Sequence, residues 1–90
     1  MRNYRRDSEY FQSRLRDKLA VLVRAMAGES DESIAASIGK TAERVRRDAV
    51  SRAMDIAQAG PYKFMVESYA HVYALAGSIQ RAMDEQGVRL

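Results

Sequence analysis

The junction at residues 38–41, Ile-Gly-Lys-Thr, is the sequence feature that most constrains the fold. Ser30 can cap a short helix before it, and the acidic residues of that helix's first turn suit the helix dipole. Gly39 can take the positive φ that a tight turn requires, and Thr41 can cap a second helix. Residues 30–59 are therefore predicted to form two helices joined by a tight turn.

Apolar spacing on both sides of the junction predicts a fixed angle between these two helices. The inward face of the first helix consists of Ile34, Ala35 and Ile38. The inward face of the second consists of Val45, Ala49, Ala53 and Ile56. Spacings of three and four residues are typical of helix faces that pack against a neighbour. The opposite face of the second helix then carries Ala42, Glu43, Arg46, Arg47 and Val50, with Arg44 beside them.

The distribution of charge matters more than the modest net charge of +3. Basic residues outnumber acidic ones in residues 1–24 and again in residues 40–52, whereas the charges after Pro61 balance. Positive charge confined to one part of a chain is the pattern expected of a protein that contacts a polyanion.

The N-terminal third is predicted to be a basic arm followed by an amphipathic helix. Residues 8–27 carry apolar side chains at helical spacing, namely Phe11, Leu15, Leu19, Leu22, Val23 and Met26. Gly28 is the expected end of this helix. Arg5 and Arg6 lie in residues 1–7, which either reach DNA as a basic arm or form a frayed tail.

Residues 61–86 are predicted to form one long helix used for dimerisation. Alternating spacings of three and four connect Tyr62, Met65, Tyr69, Val72, Ala76, Ile79 and Met83, as in the seam of a coiled coil. A helix over residues 61–85 would be about 37 Å long, which is more than a small domain can cover. The seam is therefore expected to pack on a second copy, and the alternative is that it serves the internal core.

The predicted fold is an all-α, four-helix single domain over residues 1–90, with no β-hairpin signal anywhere in the sequence. Two helices joined by a tight turn, with arginines on the second, have the layout of a helix-turn-helix. Gly60-Pro61 leads directly into a helical pattern, so a β-wing after the second helix is not expected. The prediction is thus a wingless helix-turn-helix with a long C-terminal helix.

Residues 38–49 resemble the recognition helix of DeoR-type bacterial repressors. The resemblance rests on Ile38-Gly39 followed by Thr-Ala-Glu-Arg-Val-Arg-Arg-Asp-Ala, and it covers about twenty residues. It implies DNA contacts by Thr41, Ala42, Glu43, Arg46 and Arg47. Lys40 departs from the apolar turn residue that is usual in the family, and no wing or sugar-phosphate-sensing domain follows, so no sugar effector is inferred.

The chemistry of this face also favours double-stranded DNA. Arginine can form paired hydrogen bonds to guanine or phosphate, and glutamate can accept from cytosine N4. The predicted DNA-binding residues are Lys40, Thr41, Ala42, Glu43, Arg44, Arg46, Arg47, Arg5 and Arg6. A homodimer would present two such helices to a palindromic operator, as a phage or bacterial transcriptional repressor or activator does. The alternatives are a small module that binds a host or partner protein, and an architectural factor that packages DNA without sequence preference.

Other kinds of site are not expected. The sequence has no Cys and a single His, His71, which is interpreted as a structural or surface residue rather than a metal ligand. No base lies near a Ser, Thr or Tyr to activate it, and no Gly-rich phosphate loop is present. The expectation is a non-enzymatic, cytoplasmic protein without cofactor, metal or membrane span.

Overall fold

A computed structural model describes the backbone of residues 4–88 and the side chains of residues 8–88. Within these residues the chain forms helices and no strand, so the predicted all-α class is confirmed. The elements are α1 (Tyr4–Met26), α2 (Asp31–Ile38), α3 (Ala42–Ala57), a 3-10 turn (Gly60–Tyr62), α4 (Tyr69–Ala74) and α5 (Ala76–Glu85).

The junction between α2 and α3 is built as its residues predict. The Ser30 hydroxyl accepts a hydrogen bond from the backbone N–H of Ser33 at 3.2 Å. Gly39 follows the last residue of α2 as its C-cap and has a φ of 68°. The Thr41 hydroxyl accepts from the N–H of Arg44 at 3.1 Å. Side-chain caps satisfy N–H groups that a helix start leaves unpaired, so both helices begin at defined residues.

Helix α3 lies at the centre of the domain, because α1, α2, α4 and α5 all pack against it. The largest fully buried side chains come from every part of the fold, namely Leu22, Ile34, Val45, Ile56, Val66, Val72 and Ile79. The inward faces predicted for residues 30–59 are confirmed at Ile34, Ala35, Val45, Ala49, Ala53 and Ile56. Ile38, by contrast, is exposed at the end of α2.

Helix α1 begins at Tyr4, four residues before the start predicted at residue 8. The described part of the predicted arm, residues 4–7, is therefore helical backbone. Residues 1–3 and the side chains of Arg5 and Arg6 lie outside the described residues. Residues 8–13 are exposed throughout, so Phe11 lies on the apolar stripe of this helix without being buried. The inward face of α1 starts only where α3 lies beside it, at about Leu19.

The single long helix predicted over residues 61–86 is wrong, and with it the count of four helices. Five α-helices occur in residues 4–88 because this region divides into a 3-10 turn, an irregular segment and the two helices α4 and α5. Ser68 is extended and accepts a hydrogen bond from the N–H of His71 at 3.3 Å, which starts α4. Leu75 alone separates α4 from α5.

Burial of Val66 explains the interruption. Val66 lies in the irregular segment between the 3-10 turn and α4, yet it is only 1% exposed. A straight helix of about 37 Å would carry many of its apolar residues beyond the body of the domain. The folded-back chain instead brings Val66, Val72 and Ile79 into one core, which removes more apolar surface from water.

Most of the predicted dimer seam consequently packs inside its own chain. Val72, Ile79 and Met83 belong to the core, and Tyr62, Tyr69 and Ala76 are half-buried. Met65 is the exception, with 64% of its surface exposed. The alternative expectation, that these apolar residues serve the internal core, describes the structure better than a continuous seam facing a second copy.

Candidate nucleic-acid interface

The exposed start of α3 brings five of the predicted site residues together. Lys40, Thr41, Glu43, Arg44 and Arg47 line one concave surface of about 410 Å³. The turn at Gly39 and the cap at Thr41 set the position of this surface. The Gly39 N–H donates to the Ala35 carbonyl, and the Thr41 hydroxyl accepts from the Arg44 N–H. Ala42 is half-buried and does not line the surface.

Arg47 and Glu43 form the most exposed ion pair of this surface. Nη2 of Arg47 lies 3.4 Å from Oε1 of Glu43, and the two side chains are 67% and 81% exposed. Exposed pairs of this kind contribute at most about 1 kcal/mol and are screened by salt. Both groups can therefore leave each other for another partner.

Arg44 is held more firmly, because its partner is a buried carboxylate. Its Nε lies 3.3 Å from Oδ1 of Asp48, which is only 5% exposed. A buried carboxylate without a compensating charge is strongly unfavourable, so Arg44 is needed to compensate the charge of Asp48. The prediction of Arg44 as a DNA contact leaves out this structural role.

Arg46 lies apart from the concave surface and contacts α2 instead. Its Nε lies 2.5 Å from Oδ2 of Asp31 in the first turn of α2. The hydrogen bond with Asp31 is the main reason that the pKa of Arg46 is raised. This bond joins two residues 15 positions apart, which no local spacing rule could indicate.

Tyr69 extends the Asp31–Arg46 pair to α4. Burial raises the pKa of the Tyr69 phenol, and hydrogen bonds with Tyr73 and Asp31 raise it further. The Tyr69 and Tyr73 rings meet edge to face with centroids 5.0 Å apart, and the Tyr73 hydroxyl donates to the Tyr69 oxygen at 3.3 Å. The cluster of Asp31, Arg46, Tyr69 and Tyr73 thus connects α2, α3 and α4.

A second groove follows the outer face of α3 towards α4. It encloses about 510 Å³ and is lined by Glu43, Arg46, Arg47, Val50, Ser51, Met54, Asp55 and Tyr69. Val50 and Met54 are half-buried and give the groove an apolar floor. Val50 was predicted on this face from its spacing, whereas Met54 and Tyr69 were not predicted as surface residues there.

His71 has a structural position. Its Nδ1 accepts a hydrogen bond from the backbone N–H of Glu67 at 3.2 Å, just before the start of α4. In the part of the chain from residue 8 to residue 88, no three His, Asp or Glu side chains are grouped as metal ligands.

None of the helices in residues 4–88 combines the length and apolar character needed to cross a bilayer. Comparisons with protein-family models, with curated proteins and with solved structures give no match. Support for a function therefore comes from the geometry and charge of the chain itself.

Proposed function

We propose that this chain is a sequence-specific regulator that binds double-stranded DNA, with α2 and α3 acting as a wingless helix-turn-helix. The observation that carries the proposal is the group formed by Lys40, Thr41, Glu43, Arg44 and Arg47 at the free start of α3. The start of the second helix of such a unit is the part that meets base edges in the major groove.

Each exposed side chain of this group has a suitable DNA partner. The Arg47 guanidinium can bind guanine O6 and N7, and Glu43 can accept from cytosine N4. Lys40 provides a point charge for a phosphate. Thr41 uses its oxygen to cap α3, which leaves its O–H free to donate to a phosphate.

Arg46 is a positioning residue in this proposal rather than a DNA contact. Its ion pair with Asp31 holds the start of α2 against α3, and Tyr69 packs beside the pair. The angle between α2 and α3 decides how far α3 projects into the groove. In this proposal Lys40 and Arg47 contact DNA, and Arg46 does not. The DeoR-like sequence pattern then describes the two helices that hold Lys40 and Arg47 in place.

A cytoplasmic homodimer on a palindromic operator remains part of the proposal. Two copies related by a two-fold axis would present two α3 helices about 34 Å apart to successive major grooves. Because Val72, Ile79 and Met83 are occupied internally, the interface would use another surface. Tyr10 and Phe11 on α1 and Met65 before α4 are exposed apolar side chains that such an interface would cover.

The decisive experiment is selection of bound sequences from a random duplex pool. An enriched palindrome with half-sites about 10 base pairs apart would support specific binding by a dimer. Binding that depends on salt alone, with a specificity ratio below about 10³, would favour an architectural factor. Absence of duplex binding at low salt would overturn the proposal.

The groove along α3 and α4 favours one second candidate, a module that binds a partner protein. Its floor of Val50 and Met54 is apolar and its rim carries Arg46, Arg47 and Asp55, as in grooves that accept an amphipathic helix. Val50→Glu would disrupt such a complex. This candidate would be supported if the unmodified protein binds no duplex and Val50→Glu abolishes its binding to a partner protein.

A further inference from the structure

A cleft between α1 and the turn that joins α2 to α3 has an apolar floor. It encloses about 280 Å³, and Ala20, Val21 and Ile38 form its apolar part. Ile38 was predicted to pack inward, but it is exposed here, beside the turn. Apolar surface next to polar groups in a concave site is the usual composition of a small-molecule site.

Charged side chains surround this floor, and they differ in whether they already have partners. Arg24 binds Glu29 and Ser37, and Asp48 binds Arg44. Among the described residues, the side chains of Arg14, Lys40 and Asp17 take part in no hydrogen bond or ion pair. Two cations and one carboxylate therefore remain available, with a net charge that a monoanion would neutralise.

We propose that this cleft binds a small organic monoanion, with its apolar body on Val21 and Ile38 and its carboxylate at Arg14 and Lys40. A guanidinium and an ammonium form charge-assisted hydrogen bonds to a carboxylate. Burial of the apolar body removes it from water together with the exposed part of Ile38. The ligand belongs to the class of aromatic or aliphatic carboxylates.

Lys40 connects this cleft to the proposed DNA surface, because it lines both. One ammonium group cannot serve a bound carboxylate and a DNA phosphate at the same time. The ligand therefore weakens DNA binding, and DNA weakens ligand binding by the same factor. This coupling rests on the proposed function, whereas ligand binding by the free protein does not.

Benzoate is a suitable probe, observed by NMR titration of the methyl groups of Ala20, Val21 and Ile38. Saturable shifts confined to these methyls are expected. Arg14→Gln should weaken benzoate binding about tenfold, and Arg16→Gln, an exposed arginine on the same helix outside the cleft, should leave it unchanged. Benzyl alcohol, which has the ring without the charge, should bind at least about tenfold more weakly than benzoate.

Several outcomes would overturn the proposal. Chemical shifts that do not saturate, or that change over the whole surface, would show that benzoate binds as an adventitious additive only, without a specific site. Equal effects of Arg14→Gln and Arg16→Gln on benzoate binding would show that the charged groups of the cleft do not bind the carboxylate. Equal affinity for benzoate and benzyl alcohol would show the same. Ala20→Phe, at a half-buried position, should block benzoate while leaving the remaining spectrum unchanged. Retained benzoate binding in a folded Ala20→Phe protein would place the ligand elsewhere.

Duplex titrations with and without saturating benzoate test the coupling separately. Reduced duplex affinity in benzoate supports it, and unchanged affinity in a protein that binds both overturns it. A protein that binds benzoate but no duplex would contradict the proposed function and leave the cleft established.

Discussion

At the scale of single residues, the arginines of α3 differ in what they are free to do. Arg44 is committed to the buried Asp48, and Arg46 to Asp31 on another helix. Arg47 pairs only with the exposed Glu43 within its own helix. A charge that is already compensated inside the protein releases fewer counterions when it meets DNA. Arg47 is therefore the arginine of α3 best placed to contribute to binding.

Arg47→Ala tests this difference. Duplex affinity should fall at least about tenfold, and the slope of log affinity against log salt should decrease in magnitude by about 1. Fluorescence anisotropy at several salt concentrations measures both quantities. Arg81→Ala removes an exposed arginine from α5 and is the matched control. Similar losses in the two variants would mean that α3 is not the DNA-reading helix.

At the scale of elements, two connections define how the helices meet. The turn between α2 and α3 depends on Gly39 at positive φ. The connection between α1 and α2 depends on Glu29, which accepts from Nε of Arg24 at 2.9 Å and from the Ser33 hydroxyl at 3.0 Å. Arg24 also donates to the Ser37 hydroxyl at 2.7 Å, so one guanidinium links both ends of α2 to α1.

Gly39→Ala and Gly77→Ala should change stability in opposite directions. A Cβ at either position meets no heavy atom within 4 Å, so backbone conformation decides the result. Gly39 has a φ of 68°, which should cost alanine about 1 kcal/mol. Gly77 is helical in α5, where alanine should add about 0.5–1 kcal/mol. Urea unfolding measures both changes. An unchanged or higher free energy of unfolding for Gly39→Ala would contradict the positive φ at this turn.

The Glu29 connection should make stability depend on pH. The hydrogen bond from Arg24 lowers the pKa of Glu29 in the folded protein. A lowered pKa means that the ionised Glu29 stabilises the folded protein. This stabilisation is fully present above the unfolded pKa of about 4.3 and is lost as pH falls through the lower folded pKa. Thermal unfolding between pH 7 and pH 3 should therefore show a smaller acid-induced drop in Tm for Glu29→Gln. Glu32→Gln, on the exposed side of α2, is the control. If Glu29→Gln and Glu32→Gln show the same dependence of Tm on pH, the Glu29 connection does not stabilise the fold.

At the scale of the whole molecule, local signals predicted the first half of the fold better than the second. Ser30, Gly39 and Thr41 act within a few residues of themselves, and each was identifiable from sequence. The break after residue 62 depends on burying Val66 against the other helices, and a continuous spacing of three and four residues concealed it. The free surface at residues 40–47 was likewise predictable, but the partners of Arg46 were not, because Asp31 and Tyr69 approach it only in the folded chain.

Neighbouring substitutions at residues 65 and 66 test this architecture. Val66→Ala should destabilise the domain by about 2 kcal/mol, because it empties a fully buried site. Met65→Ala should change stability by no more than about 0.5 kcal/mol, since Met65 is exposed. A long helix with Met65 in its seam would reverse this order. Chemical unfolding of the two variants at equal concentration distinguishes the two arrangements.

The hydrogen bond accepted by His71 has a spectroscopic consequence. Because Nδ1 accepts from the Glu67 N–H, the neutral ring must carry its proton on Nε2. The sequence contains one histidine, so a nitrogen-15 spectrum of the imidazole ring contains one pair of signals without overlap. The shift of Nδ1 then reports whether α4 is formed. In nitrogen-15-labelled protein, that signal can follow the C-terminal helices through a DNA or ligand titration without a chemically attached probe.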